Sequence, residues 1–479
     1  MTDTSWDLET DIAVLGCGAA GSAAAIEGHD RGAEVVILEK MPSATAGGNT
    51  RVSGGIWFNN RDPERAALYL ESLCGGFKLP QPVIKAWAEE TAANTFWLTG
   101  LGAEVGPHAD YTPEYPELPG SDAYGGYMGI GGKIGNALLF GFLQSAIRQR
   151  GIEILHETPG QELITENGRV VGVQAVRAGK PFRVRAHRGV VLATGGFENN
   201  REMVADYLGM ADPPTWGTPA STGDGHKMAM RIGADLWHMD NMMAIVGVRT
   251  PDFHAAFATM GLVGPKSYIY VGPDGSRFVD EDVQIRHGHA LIHGRYELYP
   301  LQKAHVVFDE RTRRAGPLVP PPEYMPVGWN TVIEKYVWSD DNLAEIEKGW
   351  IVKADTLAEL ENKLGIPAGG LEKSVALYNR YCIDGADEQF GRAPATLIPL
   401  DEPPFYGFTS GPILAWSNGG PRRNEHAQVL NLSGEPIAGL YAAGTVSSTY
   451  SWCKDGGFHI ADALAFGRVA GRHAALRSN

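Results

Sequence analysis

The sequence predicts an α/β fold class: one large α/β body carrying an inserted second domain. Three observations predict it. Residues 11–39 read as strand, glycine turn, helix and strand; residues 189–198 read as a buried strand breaking into a second glycine turn; and glycine-punctuated strands return after residue 393, beyond a stretch of different texture. At 479 residues the chain exceeds one ordinary core, so more than one unit is expected on size alone. The expected division is 1–240 and 393–479 for the first domain, with 241–392 inserted.

Taken in order, Asp11-Ile-Ala-Val-Leu15 is a short apolar strand ending at Gly16-Cys17-Gly18-Ala19-Ala20-Gly21. An Ala-rich helical segment runs to Arg31, and Glu34-Val-Val-Ile-Leu38-Glu39 is a second strand closed by an acid. This is the context in which GxGxxG reads as a dinucleotide site. The first glycine permits the tight turn, the second lets the backbone approach a pyrophosphate, and the third lets helix pack on strand. The helix N-terminus then faces the phosphate charge. Glu39, 23 residues after the first glycine, is placed to accept hydrogen bonds from an adenosine ribose. Lys40 follows, then a polar loop dense in glycine and hydroxyls, Gly47-Gly48-Asn49-Thr50-Arg51-Val-Ser53-Gly54-Gly55, which can lie flat against a large cofactor.

Residues 62–150 read as mostly helical, with helical spacing of apolar residues over 82–99 and 132–150. Between them, Tyr111 to Tyr127 is rich in tyrosine and proline and reads as loop. Strand-like segments follow at 152–155, 161–165, 170–176 and 182–186, then Gly189–Ala193 leads into Thr194-Gly195-Gly196. A helix starts at Gly223-Asp224-Gly225. The inserted region is first Met-rich, then aromatic and proline-rich from Tyr296 to Trp338, with helical stretches near 342–363 and 370–383. Gly439 to Gly444 resumes the earlier style, and a last helix, Ile460 to Leu476, closes the chain.

Composition narrows the function classes. Hydrophobic residues at 43%, charged at 20% and aromatic at 9% describe a globular protein rather than a disordered or fibrous one. Sixty-one glycines are well above the average of roughly 7%, so the excess serves particular backbone sites. A formal charge of −15 opposes the phosphate neutralisation on which nucleic-acid affinity depends. Cys17, Cys74, Cys382 and Cys453 are scattered without CxxC or CxxCH, so no zinc ribbon, iron–sulfur ligand set or c-type haem is expected, nor any other metal site. Redox chemistry here calls for an organic cofactor. The start of the chain is acidic where a signal peptide is basic, and no apolar run approaches the length of a membrane span; a cytoplasmic protein with reduced thiols is expected.

These segments resemble the flavoprotein family of fumarate reductases and 3-ketosteroid dehydrogenases. The matching pieces are Gly16 to Gly21 with Glu39, Gly47-Gly48-Asn49-Thr50, Ala193-Thr194-Gly195-Gly196-Phe197, Gly223-Asp224-Gly225, Arg277-Phe278-Val279-Asp280-Glu281, Gly439 to Gly444, and Phe466-Gly467-Arg468. They stand in the family's order and span nearly the whole chain. The resemblance implies a Rossmann-like FAD-binding domain with an inserted α+β capping domain that closes over the flavin. Cofactor contacts carry over to Gly16, Gly18, Ala19, Ala20, Gly21, Glu39, Lys40, the 47–55 loop, Thr194, Gly195, Asp224, Gly444, and Phe458, His459 and Ile460 at the start of the last helix. No histidine stands in the 47–55 loop, where some relatives attach flavin covalently, so FAD is expected to be non-covalent.

The resemblance further implies transfer of two hydrogens between a C–C bond and FAD, a hydride through the flavin and a proton through a side chain. Desaturation beside a carbonyl requires donors for the developing enolate and a base for the C–H. The fumarate reductases clamp a dicarboxylate with two histidines and two arginines. Here Trp416 stands where one histidine belongs and 240–246 contains none, so that clamp is expected to be dismantled. Arg286, five residues after Glu281, is the candidate for proton handling or anion binding, with His287 and His289 beside it; the alternative is a surface arginine with solvated histidines. Gly457 aligns with the glycine whose amide holds the ketone in the steroid enzymes, while their ketone-holding tyrosine is replaced by Cys453. Lys454 falls where the reductases carry a carboxylate-binding arginine, and would supply a point charge rather than a bidentate fork; the alternative is a pair with Asp455 on a turn. Tyr450, Trp452 and Phe458 are candidates to wall an apolar ring, against ordinary packing, and Tyr124 or Tyr127 to add a phenol. Cys453 is expected to pack.

The expected activity is desaturation next to the ketone of a cyclic substrate, a small oxo-cyclohexane carboxylate such as that of 4-oxocyclohexanecarboxylate desaturase, or a 3-ketosteroid. A reductase or dehydrogenase of acyclic polycarboxylates is the alternative. The expected partners are the small keto substrate and an external electron acceptor: oxygen, a quinone or a carrier. Neither nucleic acid nor a membrane span is expected.

Overall fold

A computed structural model describes residues 5–109, 112–281, 286–298 and 303–477. Tyr111, at the start of the expected loop, lies outside the described residues. The chain forms two compact units: one of Met1–Ala211, Gly217–Met242 and Trp416–Asn479, and one of Asp212–Trp216 and Met243–Ala415. The fold is α/β with a parallel-sheet core.

In the first unit, Leu8–Leu15 lies between Val35–Leu38 and Lys180–Leu192, parallel to both. Glu153–Leu155 extends the sheet beyond Val35–Leu38, and Pro436–Ala442 extends it beyond Lys180–Leu192, again parallel. Parallel neighbours require crossover connections, and a sheet covered on both faces needs unbroken apolar strands. Val35–Leu38 is buried throughout and Leu8–Leu15 is buried along its last four residues. Gly160–Glu166 and Arg169–Arg177 form an antiparallel meander on the first half of Lys180–Leu192. That strand joins two segments read separately in the sequence, 182–186 and 189–193.

Helix Ala19–Asp30 packs along the last helix, Phe458–Ala475. The contact is made of small residues: a Cβ at Gly467 would collide with the Ala20 carbonyl, and one at Gly471 with the Ala24 carbonyl. Backbones therefore approach closely, and interior packing of that density tolerates no added methyl.

The second unit is α+β. Ala304–Asp309 lies between Tyr268–Val271 and Phe405–Ser410, antiparallel to both, and Val352–Ala354 completes a four-stranded sheet. Helices Leu357–Leu364 and Gly370–Asp384 contribute Leu360, Leu364, Leu371 and Val375 to a core shared with Ile269, Val271 and Val307 of that sheet.

Two local expectations need correction. The stretch 342–363 is not one helical segment: helix Leu343–Glu347 ends at Gly349, whose φ is +75°, strand Val352–Ala354 follows, and Thr356 caps a new helix by accepting the Glu359 amide at 3.1 Å. The loop expected up to Tyr127 gives way to strand Tyr124–Ile130, held by antiparallel pairing with Trp57–Asn60 and Val105–Pro107.

Candidate active site

Four parallel strands end at one place. Across the sheet, Leu38 and Glu39, Leu15 and Gly16, Ala193 and Thr194, and Ala443 and Gly444 line in turn a groove of about 840 Å³. The carboxyl ends of an open parallel sheet are where such folds bind ligands. A Cβ at Gly21 would strike the Gly16 carbonyl, so the turn closes only without side chains there. Gly18 precedes the helix without a side-chain cap, leaving the first amides to other acceptors; Ala19 donates to Thr50 Oγ1 at 2.9 Å.

Glu39 is buried at the groove edge, its Oε2 accepting the Cys17 amide at 3.0 Å and its Oε1 the Met41 amide at 2.9 Å. These fix the carboxylate while each oxygen retains a second lone pair. Burial, with Glu39 close by, drives the Cys17 thiol well above its ordinary range, so it stays an unreactive lining group. Lys40 Nζ is bound to Thr222 Oγ1 at 2.7 Å and Asp224 Oδ2 at 2.8 Å. Thr194 Oγ1 is buried without a hydrogen-bond partner among the described residues, although Thr194 lines the groove. An acidic group for a ribose, a glycine turn under a helix N-terminus, and a long cleft lined by both together fit FAD.

Of the residues expected at the cofactor, Gly16, Gly18, Ala19, Ala20, Glu39, Lys40, Gly47, Gly48, Asn49, Thr50, Thr194, Gly195, Asp224 and Gly444 line this groove. Gly21 stands behind it, and Ser53, Gly54 and Gly55 lie off it, Ser53 Oγ bonding to the Thr50 carbonyl and the Gly55 amide. Phe458, His459 and Ile460 are not in the lining either. The Phe458 side chain is a packing element, its ring 4.6 Å from that of Phe58 and 5.1 Å from that of Trp87. The sequence reading misses Thr218, Ala220 and Ser221, which form part of the lining and carry no motif.

The turn before the last helix holds a different kind of site. Gly457 has φ +73° and begins helix Phe458–Ala475, whose N-terminus no side chain among the described residues caps. Lys454 is 1% exposed, and its Nζ donates to the Met242 carbonyl at 3.1 Å. The expected alternative of a Lys454–Asp455 pair is not realised: Asp455 accepts from Tyr69 Oη at 2.7 Å, the Glu114 amide at 2.9 Å and the Gly456 amide at 2.7 Å. Among the described residues Lys454 thus makes one hydrogen bond and no ion pair, and burial lowers its pKa to about 8, partly offset by Cys453 and Glu114.

Gly456 explains itself by its surroundings, since a Cβ there would collide with the Tyr127 hydroxyl and crowd Glu114 Oε1, which accepts the Gly456 amide at 3.1 Å. Burial, reinforced by Glu114 and Asp455, keeps Tyr127 protonated and hence a donor. Cys453 is buried beside Tyr115, as its packing role predicts. Trp452 meets Phe77 with ring centres 5.2 Å apart. Tyr450 corrects its expectation of walling a substrate: it is fully buried, with its hydroxyl donating to the Phe458 carbonyl at 2.5 Å and accepting from Trp87 Nε1 at 3.0 Å. Trp416 packs edge-on against His459, ring centres 4.9 Å apart.

Within the second unit, Arg286 hydrogen-bonds the Tyr296 hydroxyl and stands over that ring at 5.3 Å. His287 adopts φ +52°, and its carbonyl accepts the Ala244 amide at 3.2 Å. His289 is buried, not solvated.

The model of the FAD binding domain matches residues 11–463. The chain belongs to that family. It is 30% identical to an NADH:fumarate oxidoreductase of Klebsiella pneumoniae over 98% of its own length, though it spans only 48% of that protein. It is 27% identical to a 3-oxosteroid 1-dehydrogenase of Mycobacterium tuberculosis, covering 98% of both chains. The crystal structure of a 3-ketosteroid delta1-dehydrogenase from Sterolibacterium denitrificans superposes with TM-score 0.82 at 25% identity, over 98% of this chain and 99% of that one. A flavocytochrome c3 fumarate reductase superposes at 0.69 and 25% identity, over 98% and 79%. This member of the FAD binding domain family is an FAD-dependent oxidoreductase. No helix among its described residues is long and apolar enough to cross a membrane.

Proposed function

We propose that this oxidoreductase is a dehydrogenase that introduces a C=C bond next to the ketone of a small cyclic substrate bearing one carboxylate, an oxo-cyclohexane carboxylate. The observation that carries this reading is Lys454: a buried ammonium with one carbonyl partner and, among the described residues, no carboxylate within ion-pair reach. Burying such a charge costs several kcal/mol, and a substrate carboxylate would offset the part of that cost that Glu114, Cys453 and the Met242 carbonyl leave standing. The Mycobacterium relative, named a 3-oxosteroid 1-dehydrogenase and matched end to end, supports ketone desaturation over the polycarboxylate alternative.

The roles follow from the residues. The glycine turn, Glu39, Asn49 with Thr50, and Thr194 would hold FAD, without a covalent bond. Bound FAD supplies a two-electron acceptor, and an external oxidant returns it to the starting state. Gly457, at an uncapped helix N-terminus, and Tyr127, a phenol kept protonated beside Gly456, are donors for a carbonyl oxygen gaining negative charge. Lys454 binds the carboxylate, and of the proton-handling pair the imidazole of His287 accepts the proton leaving the α-carbon while the always-charged guanidinium of Arg286 supplies positive charge beside it.

The test is anaerobic mixing of the purified holoenzyme with 4-oxocyclohexanecarboxylate, cyclohexanone, a 3-ketosteroid, succinate and tricarballylate, following flavin absorbance. Bleaching by the cyclic keto acid is expected. Bleaching by an acyclic acid alone would transfer the assignment to polycarboxylates, and none with any cyclic ketone would overturn the proposal.

A further inference from the structure

Glu198 follows the Gly195-Gly196-Phe197 turn, is 3% exposed and does not line the groove, yet its two oxygens join three separate stretches of chain. Its Oε1 accepts from Asn49 Nδ2 at 2.9 Å, and Asn49 Oδ1 in turn accepts the Thr218 amide at 2.9 Å. Its Oε2 accepts from the Ser417 amide at 3.2 Å and from Ser417 Oγ at 3.0 Å. Ser417 Oγ is itself fixed as a donor to Glu198, because it takes the Phe197 amide at 2.6 Å. Ser221 adds a further side-chain hydrogen bond. Two glycines make room for the knot: a Cβ at Gly196 would strike Glu198 Oε2 and Ser417 Oγ, and one at Gly217 would strike Asn49 Oδ1.

Two of the joined stretches meet in the groove lining, Gly47–Thr50 and Thr218 with Ala220 and Ser221, linked directly by the bond from the Thr218 amide to Asn49 Oδ1. We infer that Glu198 is a positioning residue for FAD, fixing these two stretches against each other by holding the Asn49 amide in one orientation. The chemistry requires a carboxylate, since every described group facing it donates. A glutamine in its place must turn its NH₂ toward either Asn49 Nδ2 or the Ser417 amide. Rotating the Asn49 amide to accept it would set Nδ2 against the Thr218 amide. No orientation of that glutamine satisfies all donors, and an unsatisfied buried donor is disruptive where the lost bond alone would be mild.

The test measures FAD binding to apoprotein by quenching of flavin fluorescence, together with the thermal midpoint of each apoprotein. Glu198→Gln is expected to raise the FAD Kd at least tenfold while the apo midpoint moves little. Asn49→Ala is expected to raise it comparably, and adding E198Q to N49A to change it by less than twofold, because the residue through which Glu198 acts is gone. Wild-type affinity in E198Q, or a full additional loss in the double variant, would overturn the inference. So would a fall in apo midpoint with unaltered affinity of the folded fraction. If E198Q does not fold, N49A alone decides, an unchanged Kd being the overturning result. No substrate enters these measurements, so they stand apart from the dehydrogenase assignment.

Discussion

The cofactor groove and the turn before the last helix solve opposite problems within one unit. The groove is made largely of backbone: glycines, strand ends and amides, with the lysine in its lining, Lys40, tied to Asp224. The turn is made of side chains brought from far along the chain, with Tyr69, Glu114 and Tyr127 converging on Asp455 and Gly456. Backbone recognition of a pyrophosphate needs only local geometry, whereas a site selecting among substrates needs charge and shape that local sequence does not supply. The first therefore rests on local backbone, and the second on groups that only the folded chain brings together.

Breaking the groove should have the largest effect. Gly21→Ala drives a methyl into the Gly16 carbonyl, and the variant is expected to purify without flavin absorbance and to take up no added FAD. Next is Lys454→Met, expected to lower kcat/KM for the cyclic keto acid roughly 30-fold, about 2 kcal/mol for a charge-assisted contact, with a neutral cyclohexanone unaffected; equal losses for both would remove Lys454 from substrate recognition. The same residue gives a pH signature. With its pKa near 8, KM for the keto acid should be flat below that pH and rise above it as the ammonium is lost, while KM for the neutral ketone stays level. The stability of the apoprotein should move the other way, rising between about pH 8 and the ordinary lysine value near 10.4, because the unfolded chain then holds the proton that the folded one releases; calorimetry across that window checks it. Tyr127→Phe, removing one donor, should cost about 1 kcal/mol, roughly fivefold in kcat/KM for either ketone. Thr194→Val, swapping an orphaned hydroxyl for a methyl, should weaken FAD by a similar or smaller factor in an equilibrium titration.

The two regions also differ in how legible they are. Gly16 to Gly21 and Glu39 are readable because a single supersecondary unit dictates them, and the strand Leu8–Leu15 with its neighbour Val35–Leu38 is apolar enough to announce a two-sided core. Thr218 to Ser221 are not readable, since they enter the groove through Asn49 and Ser221 contacts that no short motif encodes. Strand Tyr124–Ile130 reads as loop because three glycines dilute its pattern and its order comes from partners at Trp57–Asn60 and Val105–Pro107. Lys454 and Gly457 stand out only through resemblance to relatives. What distinguishes them, a buried ammonium on a distant carbonyl and a phenol pressed on Gly456, arises from elements more than two hundred residues away.

The pairing of Lys40 with Asp224 leaves the cradle for two phosphates with no net cation among its described lining residues. Attraction that comes from fixed dipoles at contact range is little weakened by mobile ions, whose screening acts over about 10 Å at 0.1 M. Concentrated chloride should therefore leave the yellow colour in place on a desalting column, and stripping the flavin would call for acid or chaotrope rather than brine.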